Sequence, residues 1–424
     1  TAQYTASSCS VQTPFTAIRC QSVPGVGTAL AFVARAGSQW SATRATNVGY
    51  GAPVVSKVTA SATRLDTSGG ESVLLEGSNF GDVASRATVT YGPSGYQFEA
   101  TECEMVEPHR SLRCQTVPGW GASHSWRVKV GGQTSSQSSD KTSYMAPSIA
   151  RVYGSGAVDA LTSGGQPVHL LGTQFGPVGT PVSAQYGPSG HEYVAADCAV
   201  RAAYTEILCS TVEGTGRNHS WEVTVGNQQS PVFAAGTGYA PPQVAGYRGP
   251  GADGGNTTGG DVVVIEGRNF GTVSANAVSL VTYGPTGYEF EASSCAVVSS
   301  HSQIQCLTTP GAGNDLVWKV VVDGQESEVA STRYAEPTVT GLSGPGASSA
   351  SARGGEEVVV HGHNFGPPPG ADVQLFLQSV TYGPSSVEYE ARNCTVESHD
   401  QIRCLTAPGL GSGLTWRVTV EGQS

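Results

Sequence analysis

Cys103-EMVEPHRSLR-Cys114-QTVPGWGASHS-Trp126 decides the fold, because the same pattern of two cysteines, a Pro-Gly turn and a large aromatic returns five times along the chain. The pairs are Cys9 with Cys20, Cys103 with Cys114, Cys198 with Cys209, Cys295 with Cys306 and Cys394 with Cys404, spaced by 11, 11, 11, 11 and 10 residues. The aromatics Phe32, Trp126, Trp221, Trp318 and Trp416 each follow the second cysteine by 12 residues. Such regularity is an internal repeat. A second landmark agrees: Gly69-Gly70, Gly164-Gly165, Gly259-Gly260 and Gly354-Gly355 recur every 95 residues and open GGESVLLEGSNFG, GGQPVHLLGTQFG, GGDVVVIEGRNFG and GGEEVVVHGHNFG.

A period of 95 residues is too long for a solenoid turn and suits a string of domains, each burying its own core. Borders are expected at Tyr50-Gly-Ala-Pro53, Tyr144-Met-Ala-Pro147, Tyr239-Ala-Pro-Pro242 and Tyr334-Ala-Glu-Pro337, where proline fixes its own φ and biases its predecessor toward extended backbone. Such short linkers do not behave as flexible tethers. The expected units are 1–52 (the C-terminal half of a repeat), 53–147, 148–240, 241–336 and 337–424 (a repeat without its last strand). Thr1 stands eight residues before the first cysteine and Ser424 twenty after the last, so both end units are expected to be pieces of a longer repetitive polypeptide, the alternative being that one molecule donates strands to complete the next.

Within a unit the pattern is all β. Val73 and Leu75, Val168 and Leu170, Val263 and Ile265, and Val358 and Val360 alternate at i, i+2, the period of a half-buried strand. Strands then lead into Tyr91, Tyr186, Tyr283 and Tyr382, each heading a Tyr-Gly-Pro turn, and a Trp-x-Val-x-Val strand follows each later cysteine pair. Seven or so short strands with frequent turns point to an immunoglobulin-like two-sheet sandwich. Cysteines on neighbouring antiparallel strands would lie about 4.5–5.5 Å apart at Cα, so each pair is expected to form a disulfide within its unit. Ten cysteines in regular pairs, without zinc-type spacing, imply an oxidising compartment and hence secretion. In antibody domains the tryptophan lies between the bridged cysteines; here it follows both.

These residues resemble the IPT/TIG domains, the immunoglobulin-like modules of plexins, related receptors and some transcription factors. The resemblance rests on the Gly-Gly-x-x-Val-x-Leu-x-Gly-x-Asn-Phe-Gly opening, on the centre formed by Cys295, Val297, Ile304, Cys306, Thr308, Pro310, Gly311 and Gly313, and on the closing Trp-x-Val-x-Val. The third unit departs with Glu213-Gly214 in place of Pro-Gly. The family implies a β-sandwich used for adhesion, recognition or spacing, without catalysis; the domains in series and the short proline linkers make the expected architecture tandem IPT/TIG-type sandwiches in an extended rod.

Composition narrows the function. Charged residues make up 13% of the chain, against roughly 25% in an average domain, and the net charge of −11 comes with scattered basic residues, so nucleic acid is not an expected partner. No apolar run approaches the ~18 residues of a membrane span. No metal site or cofactor is expected: His361 and His363 could only begin a ligand set, and His109, His301 and His399 recur in the loop between paired cysteines. The Pro-Gly-x-Gly and Gly-Gly segments lack the following helix of a phosphate loop and read as turns. The repeated tryptophans and tyrosines read as core, with sugar stacking as the alternative.

Three sequons, Asn218-His-Ser, Asn256-Thr-Thr and Asn393-Cys-Thr, are candidate N-glycosylation sites, Asn393 the least favoured because it abuts a bridged cysteine. Residues 134–143, 346–352 and Pro367–Pro369 are candidates for O-linked sugar. The expected function is the structural core of an extracellular, glycosylated filament or surface appendage. Its partners would be neighbouring copies of itself, its only carbohydrate covalent glycan, and its domain step roughly 40 Å, from strands of 7–10 residues at 3.3 Å each plus loops. The alternative is the stalk of an adhesin or receptor ectodomain; an accessory region of a polysaccharide-acting enzyme is a third reading.

Overall fold

Alternation of apolar and polar side chains builds the same two-sheet unit repeatedly. The structure is a computed structural model that describes residues 4–83, 87–327, 331–370 and 376–424. In the second unit, strand Ser72–Ser78 buries Val73 and Leu75 completely and pairs on one side with Val54–Ala60 and on the other with Ser111–Gln115, which in turn pairs with Thr101–Glu107. The facing sheet runs in the order Phe98–Glu99, Ala87–Gly92, Ser125–Val130 and Gln133–Thr134. The order of the first sheet recurs in the third, fourth and fifth units, and the second sheet keeps its central strand pair in all of them. Among the described residues the short 3₁₀ turn Pro345–Ala347 departs from the all-β expectation; Pro345 supplies the φ that such a turn needs at its first position.

From the second unit onward the chain is thus a series of immunoglobulin-like β-sandwiches, each with a buried core. In each core a tryptophan stacks on the tyrosine of the Tyr-Gly-Pro turn: Trp126 on Tyr91, Trp221 on Tyr186, Trp318 on Tyr283 and Trp416 on Tyr382, with centroids 4.2–4.4 Å apart. These rings are packing, not sugar platforms, in the second to fourth units, where each tryptophan has zero exposure.

A ring of hydrogen bonds then locks the closing strand. Val117 N–H donates to Tyr91 Oη at 2.9 Å, Tyr91 and Tyr144 hydroxyls bond at 2.7 Å, and Tyr144 donates to Val117 O at 2.6 Å. The same ring joins Tyr186, Tyr239 and Val212, and Tyr283, Tyr334 and Thr309. Packing of the closing tyrosine explains the Pro-Gly turn. A Cβ on Gly119, Gly214 or Gly311 would come within 2.8 Å of that tyrosine's hydroxyl oxygen, so glycine is required there while the preceding residue is free to be Glu213 in the third unit.

Each expected cysteine pair is bridged: Cys9 to Cys20, Cys103 to Cys114, Cys198 to Cys209, Cys295 to Cys306 and Cys394 to Cys404. The geometry corrects the expectation, because the Cα atoms of each pair are only 4.0–4.1 Å apart, closer than the 4.5–5.5 Å of regular strand neighbours. The cause is a β-bulge: the residue before each first cysteine (Ser8, Glu102, Asp197, Ser294, Asn393) has φ of 47–53° and the register shifts there, drawing the two backbones together. The second cysteines Cys114, Cys209, Cys306 and Cys404 are buried in their cores, whereas Cys20 of the first unit is exposed. Among the described residues of that first unit only two-stranded pairings form, and Val11, Phe15, Ile18, Phe32 and Trp40 are exposed as well.

Candidate functional site at the unit junctions

The most repeated contacts outside the cores lie where one unit meets the next. The Trp-x-Val-x-Val strand ends in a hairpin written Val130-Gly-Gly-Gln133, Val225-Gly-Asn-Gln228, Val322-Asp-Gly-Gln325 and Val420-Glu-Gly-Gln423. The glutamine amide reaches back into the preceding unit and donates to the backbone carbonyl of its closing tyrosine: Gln133 to Tyr50 at 3.0 Å, Gln228 to Tyr144 at 2.9 Å, Gln325 to Tyr239 at 3.0 Å and Gln423 to Tyr334 at 3.0 Å. Gln228, Gln325 and Gln423 are buried. A bond of this kind contributes about 1 kcal/mol, and losing it would leave a carbonyl at the junction unpaired.

The hairpin tip rests on the Pro-Gly-x-Gly loop of the preceding unit, and the variable residue of that loop is the plug. Val26 approaches Gly81 of the second unit, and Trp120 lies against Gly226, packing on the cores of both the second and third units. Thr215 donates from its hydroxyl to Asp323, and Ala312, 3% exposed, belongs to the core of the fifth unit. Beside it, the Phe290 and Phe376 rings meet across the junction, 6.0 Å between centroids. Leu410, the same position in the fifth unit, is 77% exposed.

The linkers are fixed as well. Asn79, Asn269 and Asn364 of the Asn-Phe-Gly turns sit at φ of 63–65° and donate to Ala52, Pro241 and Glu336 carbonyls at 2.9, 3.1 and 3.2 Å. Gln174 replaces asparagine in the third unit. Its longer side chain crosses the junction, donating to Asp66 Oδ2 at 3.0 Å and accepting from Thr67 N–H at 2.9 Å. At the next two junctions a ring nitrogen of His301 bonds Thr162 Oγ1 at 2.9 Å and one of His399 bonds Thr257 Oγ1 at 3.0 Å.

Beneath two of these loops lies a buried histidine. His124 and His219 stand two residues before the core tryptophan, where the fourth and fifth units carry Leu316 and Leu414. Their exposures are 0% and 1%. Burial holds both imidazoles below their usual pKa, and His124 keeps one nitrogen on Gly121 O at 3.0 Å, in the loop that receives Asn227.

Among the candidates named from sequence, the ten cysteines are structural bridges inside the sandwiches, and Asn218, Asn256 and Asn393 are all exposed. Asn218 and Asn393 have φ of 58° and 51°, a region asparagine tolerates better than most residues, so the backbone alone accounts for them. Asn256 instead holds an Asx turn, accepting from Thr258 N–H at 3.0 Å and Thr258 Oγ1 at 2.9 Å. His361 bonds Ser343 Oγ at 2.7 Å, and no group of three or more His, Cys, Asp or Glu gathers as a metal site among the described residues. Among those residues no helix is long and apolar enough to cross a membrane. The clamp glutamines and the plug were missed by the sequence reading. Their signal was present, because Val-x-x-Gln follows each complete tryptophan strand at nearly the repeat period.

The IPT/TIG domain family matches residues 53–144. No curated protein matches the chain in sequence. Among solved structures the chain is similar to the plexin A4 extracellular region, at 12% identity over 85% of this chain and 46% of that one, with a TM-score of 0.20. The chain therefore spans about half the length of that plexin region. It is similar also to the Escherichia coli adhesin FdeC (13% identity, 67% of this chain and 99% of that, TM-score 0.21) and to invasin, a bacterial integrin-binding protein (12%, 86% and 79%, TM-score 0.22).

Proposed function

Residues 53–144 being an IPT/TIG domain, with the neighbouring units repeating its landmarks, we propose that this chain is a structural rod: the protein core of a secreted, glycosylated filament or surface appendage. The observation that carries the reading is the clamp from glutamine to tyrosine carbonyl, present at all four junctions with lengths of 2.9–3.0 Å. A string of independent binding modules has no need of a repeated, buried junction; a rod does. Five disulfides suit an oxidising exterior, and the low charge leaves hydroxyl-rich surfaces that a glycan coat would cover.

The stalk of an adhesin or receptor would use the same stiffness, and the two readings part on what the native material looks like. Electron microscopy of protein from its native source is expected to show filaments with a step of roughly 40 Å per unit, set by strand length. Single chains ending in a separate folded head would overturn the filament in favour of the stalk.

A further inference from the structure

The residue that opens the turn into the Gly-Gly pair, its carbonyl accepting from the first glycine's N–H, is Asp66 in the second unit, Leu161 in the third, Asn256 in the fourth and Ser351 in the fifth. At the junction of the second and third units this loop is bridged by protein, through the contacts of Gln174 with Asp66 and Thr67. At the junction of the third and fourth units His301 takes Thr162 on one ring nitrogen and faces Glu213 on the other at 3.4 Å. At the junction of the fourth and fifth units His399 takes Thr257 as His301 takes Thr162, but the residue in the place of Gln174 is Asn364, one methylene shorter, and its amide is committed to Glu336 O at 3.2 Å. Beside the bond from His399 to Thr257 a cleft of about 570 Å³ remains between the units, with Asn256 and Thr258 on one wall and Thr338, His363, Asn364, Ser398, His399 and Asp400 on the other. The volume falls within the ~300–1,000 Å³ of small-ligand sites. Hydroxyl, amide, imidazole and carboxylate groups make the walls a match for sugar hydroxyls and an N-acetyl group. The one unit whose loop carries a sequon at this position is the one beside the cleft.

We propose that an N-linked glycan on Asn256 seats its first N-acetylhexosamine residues in this cleft and bridges the fourth and fifth units, as Gln174 bridges the second and third. The inference rests on the reading of the chain as a secreted glycoprotein. Attachment joins Asn256 Nδ2 to the anomeric carbon of a diphosphate-linked oligosaccharide donor. The bond from that carbon to the phosphate oxygen breaks, the diphosphate carrier leaves with its electron pair, and the amide proton goes to base. The Asx turn leaves Nδ2 for this reaction, because Oδ1 is the atom occupied by Thr258.

The test uses the whole chain secreted from glycosylating eukaryotic cells, as wild type, Asn256→Asp and Asn218→Gln. Aspartate at 256 keeps the turn, as Asp66 keeps it by accepting from Ser68 N–H at 2.9 Å, so the variant loses the sugar and not the fold. Glycopeptide mass spectrometry is expected to find Asn256 occupied, and amide exchange across 363–366 and 398–400 to run at least ~threefold slower in wild type than in Asn256→Asp, with Asn218→Gln unchanged there. A bare Asn256 beside an occupied Asn218 overturns the inference and leaves the glycoprotein reading standing; bare asparagines at both overturn the two together. An occupied Asn256 with equal exchange in wild type and Asn256→Asp reduces that glycan to surface coat and overturns the bridge.

Discussion

The junction between the second and third units and that between the fourth and fifth share one hydrogen bond and differ in nearly everything around it. Both place a buried glutamine on the carbonyl of a closing tyrosine, Gln228 on Tyr144 and Gln423 on Tyr334. The first then fills its space with Trp120, standing edge-on to Phe98 at 5.2 Å, and is tied by Gln174. The second has only Ala312 as its plug, and the larger contact comes from Phe290 meeting Phe376. The geometry of a rod is therefore set by the backbone-directed clamp, which tolerates any neighbour, while the apolar filling drifts between the two sides of the joint. A side chain aimed at a carbonyl needs only a fixed backbone; one aimed at other side chains changes when they do.

The largest expected break in that comparison comes from the plugs. Trp120→Ala removes a half-buried indole and should destabilise the second and third units by about 2 kcal/mol, below the 3–5 kcal/mol of a fully buried tryptophan. Ala312→Gly removes one methyl and should cost about 0.8 kcal/mol from burial alone. Calorimetry of the two variants checks the ratio; equal losses would mean that the plug does not distinguish the joints.

The clamp is expected to respond evenly. Gln228→Leu and Gln423→Leu should each cost about 1–2 kcal/mol, since each leaves a tyrosine carbonyl without its donor. Amide exchange in the linkers 145–148 and 335–338 should rise by a similar factor in both. A rise confined to one joint would show that the other is held by its filling.

The smallest effect separates the two joints by pH. His124 and His219 are buried and held below their usual pKa, so the folded units refuse a proton that the unfolded chain accepts. Their contribution to stability is present above the unfolded value of ~6.5 and is lost as pH falls below it toward the folded values. Residues 121–124 and 216–219 should exchange faster at pH 5 than the corresponding leucine-bearing segments 313–316 and 411–414, after correction for intrinsic rates. Equal acceleration in all four would remove the histidines from the account.

Much of this was legible in the sequence because the repeat prints each position several times. The alternation at Val73 and Leu75, the paired cysteines and the closing tyrosines are local signals whose period or spacing names their partners. The bulge that draws Cys103 onto Cys114, and likewise Cys198 onto Cys209 and Cys394 onto Cys404, was not legible: Ser, Glu, Asp, Ser and Asn all occupy that left-handed position, and no one residue type marks it. The junction was hidden for another reason. Gln228 reaches Tyr144 across 84 residues, and nothing in a glutamine after a hairpin turn says that its partner is a carbonyl in another domain. Trp120 reads from sequence as part of a turn because half of its packing, that against the third unit, is with a unit that the pattern treats as separate.

The central claim is that the glutamine clamp makes the chain one stiff rod. Its most direct test is the distribution of angles between adjacent units in single-particle images of the whole chain, as wild type and with Gln133, Gln228, Gln325 and Gln423 all changed to leucine. The account predicts a single narrow angle at each junction of the wild type and a broadened one at every junction of the variant. Broad angles in the wild type, or narrow ones that survive loss of all four glutamines, would contradict it.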